Sequence, residues 1–269
     1  MPGVPVDFYF RSLQPGEAVL AELRENPSIK RVAIRIRNRT YILGENASSK
    51  KPFVLIGLDL DLKAEPLVVN LKAAKSDGTE VSYREEFPIE PKEYEKQSFR
   101  VTEAMLVPPP AEQERVKREQ ELVAAVYRVI SPEWLGAGSF LPPLPDREAF
   151  PNFGQRRTYN DVYTSVHQGV DIPAPWGTPV QASNAGKIAL ASNLYMTGKT
   201  VIIDHGRGVF SVYCHMSHLF VKRGDRIDRG EILGRVGNTG RSTGPHLHWG
   251  IRILDSRVDP YSLVSLPLE

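Results

Sequence analysis

Apolar and polar positions alternate through much of the first hundred residues. Arg31-Val-Ala-Ile-Arg-Ile-Arg37 sets Val32, Ile34 and Ile36 on one face and Arg31, Arg35 and Arg37 on the other. A period of two marks a strand with one buried face. Glu17 to Leu23, Pro66 to Ala73 and Val81 to Phe87 follow the same rule, and Ser76-Asp-Gly-Thr79 supplies a hairpin turn between the last two. Short strands separated by turn signals predict an antiparallel, immunoglobulin-like β-sandwich over residues 1–107. This stretch contains no histidine and no catalytic grouping.

The period then changes. After Val107-Pro-Pro-Pro110, residues Ala111 to Ile130 carry Val116, Leu122, Val123, Val126, Tyr127 and Ile130 near helical spacing, and Ser131-Pro132 ends the run. Residues 108–138 are therefore expected to be a linker with a short connecting helix packed on one or both neighbours. A second Pro-rich passage, Leu141 to Pro145, precedes a region dense in Gly, β-branched residues and histidine. The expected boundaries are 1–107, 108–138 and 139–269, and the expected fold class is mainly β.

Composition narrows the function. Of 269 residues, 41% are hydrophobic and 25% charged, as in ordinary globular proteins, and a net charge of +2 with scattered basic residues argues against nucleic acid. A single cysteine, Cys214, allows neither an intrachain disulfide nor a cysteine-rich metal knuckle. No apolar run approaches the roughly 20 residues of a transmembrane helix. The first residues also lack a secretion signal, so either the protein is cytoplasmic or a signal is absent from this sequence.

All six histidines lie between positions 167 and 248. His246-Leu-His-Trp-Gly-Ile-Arg-Ile253 alternates, with Leu247, Trp249, Ile251 and Ile253 apolar and His246 and His248 projecting together from the other face. In Val209 to His215, alternation assigns Phe210, Val212 and Cys214 to the core and Ser211, Tyr213 and His215 to the cleft. That puts Cys214 away from His215 and disfavours a cysteine nucleophile. His167-Gln-Gly-Val-Asp171, if extended, sends His167 and Asp171 to one side, and Gly169 with Pro173-Ala-Pro175 argues against a helix there. Imidazoles with a carboxylate suit Zn²⁺ and leave a coordination position for water.

The segments His167-Gln-Gly-Val-Asp-Ile-Pro-Ala-Pro-Trp-Gly-Thr-Pro179, Val201-Ile-Ile-Asp-His-Gly206, Tyr213-Cys-His-Met216 and Gly237-Asn-Thr-Gly-Arg-Ser-Thr-Gly-Pro-His-Leu-His248 resemble the LytM/lysostaphin type of zinc metalloendopeptidase. The resemblance spans roughly residues 153 to 260. It implies an antiparallel β-sheet peptidase domain with His167, Asp171 and His248 as zinc ligands and His215 and His246 as catalytic histidines. It also implies that Phe153 to Arg157 line the groove, that His205 is a turn element and that His218 lies on the surface. The implied substrate is the peptide cross-link of peptidoglycan. D-Ala–diaminopimelate links are favoured over Gly-Gly bridges because no wall-targeting module is recognisable. Such a substrate implies an extracytoplasmic location, in periplasm or cell envelope, and leaves the N-terminal domain free to dock a cell-envelope partner. The rival reading is a non-catalytic or latent regulator of wall hydrolases on the same fold, disfavoured by the presence of all five site residues.

Overall fold

The computed structural model describes residues 4–43, 51–101 and 106–269 and resolves the chain into two compact units, residues 1–92 and 93–269. The first unit is a β-sandwich. One antiparallel sheet joins β1 (Val6–Phe10), β2 (Ala18–Leu23) and β5 (Phe53–Gly57). The other joins β3 (Ile29–Ile36), β4 (Arg39–Leu43), β6 (Leu67–Lys75) and β7 (Glu80–Phe87) in the order β4-β3-β6-β7. The inward residues are those that alternation singled out: Val19, Ala21 and Leu23 from the first sheet pack with Val32, Ile34, Ile36, Val69 and Leu71 from the second. Gly78, at φ +84°, makes the β6–β7 turn that a side chain would strain.

The first unit closes at Lys92, earlier than the expected boundary at 107. The reason is strand pairing. β8 (Lys96–Phe99) lies parallel to β9 (Arg156–Tyr159), which pairs antiparallel with β10 (Tyr163–Val166), so residues 93–101 join the second unit. Neither β8 nor β9 carries an alternating apolar pattern that sequence reading could have used.

The second unit is built on a nine-stranded sheet, with β11 (Val170–Pro173), β18 (His246–Ile253), β15 (Val209–Leu219), β14 (Gly198–Asp204), β13 (Gly186–Leu194) and β16 (Arg226–Ile227) side by side. β12 (Pro179–Gln181), β17 (Ile232–Val236) and β19 (Ser256–Val258) pair with it off this path. Helix α1 spans Pro110–Arg128, beginning on a proline whose missing N–H costs nothing in the first turn. Its Val123, Val126 and Tyr127 pack on Leu190, Leu194, Ile202 and Phe210. Glu119 ties it to the sheet by accepting from the Tyr195 amide at 2.7 Å. The helix thus lies on the second unit, and full burial of an apolar side chain such as Val126 stabilises the contact by about 1.5–3 kcal/mol. A five-residue helix, α2 (Pro260–Val264), sets Tyr261 edge-on to the buried Trp249 at 5.5 Å.

Candidate metal centre and active site

Three strands bring the site together. Antiparallel pairing of β11 with β18 puts Asp171 opposite His248, and partners in register share a face. His167 directly follows β10 and reaches the same point. His167 Nε2, Asp171 Oδ1 and His248 Nδ1 form a triangle with sides of 2.9 to 3.0 Å. Among the described residues these three form a group able to hold a metal ion. Zinc bonds of about 2.0–2.2 Å place tetrahedral ligands roughly 3.4 Å apart, so the triangle needs to open by only a few tenths of an ångström. The donor set, two imidazoles and a carboxylate, also fits.

Each donor is oriented by its other atoms. His167 Nδ1–H donates to the Asn152 carbonyl at 2.9 Å, which leaves Nε2 to face the triangle. Asp171 Oδ2 accepts from Asn152 Nδ2 and Arg157 Nη2, both at 3.0 Å, and so turns Oδ1 inward. Burial alone would raise the Asp171 carboxyl, but its close contacts with the His167 and His248 rings outweigh it and hold the group far below the usual carboxylate range. Burial lowers His167. Gly169 is required by space, since a Cβ there would meet the Trp249 carbonyl oxygen at 2.4 Å and His248 Nε2 at 2.8 Å.

His215 and His246 sit beside the triangle with ring centroids 4.8 Å apart. His246 Nε2 is 3.7 Å from Asp171 Oδ1, and the His215 ring centre is 6.2 Å from that of His248. Their tautomers are set alike: Nδ1–H donates to the Thr239 carbonyl in His215 and to the Gly244 carbonyl in His246, each at 2.8 Å. In the neutral form of each ring, Nε2 is thereby the nitrogen without a proton. Burial brings His215 down to about 4, which keeps the ring neutral near pH 7.

The expected faces of β15 are reversed. Phe210, Val212 and Cys214 pair with Arg252, Gly250 and His248, on the ligand side of the sheet. Ser211 and Tyr213 lie on the opposite, fully buried face, where the Tyr213 hydroxyl accepts from the Ser183 amide at 2.8 Å. His215 nevertheless reaches the site because it adopts φ +61° where the β14–β15 register shifts. A bulge puts two successive residues on one side, which strict alternation cannot foresee. Cys214 stays a buried thiol, pushed up to about 12 by burial.

The other two histidines are outside the site. His205 is fully buried, its Nδ1–H donating to the Ala185 carbonyl at 2.8 Å and its Nε2 2.8 Å from the Ser211 hydroxyl. His218 is exposed. Sequence reasoning missed Asn152 as the clamp on Asp171 and His167, and assigned Arg157 to a groove wall where it instead pairs with Asp171. No spacing rule links positions 152 or 157 to 171. A cavity of about 160 Å³ opens between α1 and His248, lined by Tyr127, Gln168, Cys214, Arg252 and Arg257 among others.

The fold and site define a β-sheet domain with a histidine–carboxylate centre and two further histidines beside it. Residues 165–260 match the profile of peptidase family M23, and this part of the chain is an M23 domain of the LytM type. It is 45% identical over 102 residues to DD-carboxypeptidase/endopeptidase Mpg of Neisseria meningitidis serogroup B, covering 38% of this chain and 23% of that protein. It is 40% identical over 99 residues to peptidoglycan DD-endopeptidase ShyA of Vibrio cholerae, covering 36% of this chain and 23% of that protein. The match thus spans under a quarter of each relative. Across both units, a solved structure from Pseudomonas aeruginosa ascribed to peptidase M23 is similar, with a TM-score of 0.69 and 29% identity over 95% of this chain and 96% of that one.

Proposed function

We propose that the chain is a zinc-dependent endopeptidase that hydrolyses peptide cross-links of bacterial peptidoglycan, with His167, Asp171 and His248 holding the zinc and His215 and His246 acting on the substrate. The observation that carries this reading is the convergence of three donor atoms within 3.0 Å beside two histidines whose Nε2 atoms are free to take a proton. Zinc bound there supplies Lewis acidity toward the scissile carbonyl and the attacking water. His215 and His246 divide the proton work: one Nε2 accepts the proton of the water, and the other takes a proton from solvent and donates it toward the oxyanion or the leaving amine. The fixed Nδ1–H bonds hold both rings so that no reorientation is needed during transfer.

The D-Ala–diaminopimelate bond is favoured by the names of the relatives Mpg and ShyA, a DD-carboxypeptidase/endopeptidase and a DD-endopeptidase. A cell-wall substrate implies a location outside the cytoplasm. No described helix is long and apolar enough to cross a membrane. The deciding experiment is digestion of purified peptidoglycan with and without chelator, with products identified by mass spectrometry. Chelator-sensitive release of peptides cut at the D-Ala–diaminopimelate bond is expected. No release under any metal condition would replace the enzyme by the regulator reading.

A further inference from the structure

Glu95, which leads into the parallel strand β8, lies outside the 165–260 segment, yet it is connected to the donor triangle by a series of hydrogen bonds. The Glu95 carbonyl accepts from the Arg156 amide at 2.8 Å, and Glu95 Oε2 accepts from Gln155 Nε2 at 2.9 Å. Gln155 Oε1 in turn accepts from Arg157 Nε at 2.8 Å. Arg157 Nη2 then donates to Asp171 Oδ2 at 3.0 Å. Gln155 is buried, and Arg157 and Asp171 are 18% and 15% exposed, so the last two links are shielded from solvent screening. The Phe99 ring, 5.9 Å from the Arg157 guanidinium carbon, covers the cation, and Phe99 stacks on Tyr159 at 5.3 Å. Tyr94 fills the space over Gly154, where a Cβ would meet its ring at 2.2 Å. A guanidinium fixed through Nε by Gln155 and donating from Nη2 to one carboxylate oxygen restricts the rotation of Asp171 and leaves Oδ1 for the triangle.

We propose that residues 95–99, Glu95 and the strand β8 that follows it, are a working part of the metal centre, with Glu95 and Gln155 fixing Arg157 as the positioning residue that aims Asp171 Oδ1 at His167 and His248. This inference rests on the metal reading above. It assigns the chain before residue 139 a role in metal affinity that neither the histidine pattern nor the family match contains.

The test is zinc affinity of the full chain, measured by competition with a chromophoric chelator, together with the melting temperature of the metal-free protein. Arg157→Gln is expected to weaken zinc binding about 10- to 100-fold. The metal-free melting temperature is expected to stay close to wild type, which a loss of general packing would not allow. Arg157→Lys, which keeps the charge without the fork, should fall between the two. Glu95→Ala should weaken binding about threefold alone and not at all in the Arg157→Gln background, as expected of residues acting through one another. Wild-type affinity in Arg157→Gln and Arg157→Lys, or additive effects of Glu95→Ala, would overturn the inference. Should Arg157→Gln fail to fold, Arg157→Lys and Glu95→Ala decide it alone. A wild-type chain that binds no zinc overturns the metal reading itself, and this inference with it.

Discussion

Cys214 and His248 face each other as register partners across β15 and β18, on the side of the sheet that carries the donor triangle. Proximity gives the thiol no nucleophilic role, because burial pushes it up to about 12 and the thiolate is the reactive form. Iodoacetamide is expected to leave the native protein unlabelled and fully active, and to label Cys214 only after unfolding. Cys214→Ser should keep activity within about threefold, since the hydroxyl can replace the thiol beside Thr197 and Thr200. A hundredfold loss in that variant would bring thiol chemistry back.

The division of labour among the site residues predicts different metal contents. His246→Ala should retain zinc and lose activity by about 10²- to 10⁴-fold, the range for a proton-transfer group. His248→Ala and Asp171→Ala should lose zinc and activity together. Metal analysis after gel filtration, paired with muropeptide release, checks both. Equal zinc loss in all three variants would show that the ligand assignment is wrong.

Gly169 presents a steric prediction. In Gly169→Ala the new methyl meets the Trp249 carbonyl and the His248 ring, and Trp249 is anchored in the core. His248 must move, so zinc affinity should fall by about tenfold or more while the fold persists. Chelator competition and circular dichroism measured on the same sample separate these two effects. Unaltered affinity would mean that the strand yields instead of the ring.

His205 sets a pH dependence of stability that is separate from catalysis. Burial lowers it to about 4 in the folded protein, against 6.5 for the ordinary histidine. The folded state therefore binds fewer protons than the unfolded chain between these values. Stability from this group is complete above pH 6.5 and declines as pH falls from about 6.5 to 4, by about 3 kcal/mol in all. Denaturant titrations at pH 7 and pH 4.5 should show that loss. His205→Gln, which can still donate to Ala185 and accept from Ser211, should show less of it. Identical losses in the two proteins would assign the effect to other groups.

Much of the molecule was legible from periodicity. The sandwich strands, the helix after the triple proline and the apolar face of β18 each follow from a single period maintained over several residues. The candidate residues that the structure brings together, His167, Asp171, His215, His246 and His248, were legible for a second reason: histidines cluster in one stretch of sequence, and the resemblance, not alternation, sorted them into proposed ligands and partners. What escaped depends on pairing between distant segments. β8 has no amphipathic pattern because it is held at an edge by β9, and Asn152 and Arg157 meet Asp171 only after the chain has folded back. The faces of β15 were misread because a single register shift, which no residue type announces, inverts every inference drawn from alternation before it.

The same shift limits what can stand at position 215. Among replacements for His215 that keep a polar side chain, asparagine tolerates a φ of +61° with little penalty, whereas valine, isoleucine or threonine would have to force the bulge flat. Flattening it would rotate the Thr239 side of the cleft out of step with His246. A catalytically silent protein for capturing bound cell-wall fragments is therefore best made as His215→Asn, which preserves the shape of the cleft while removing the imidazole.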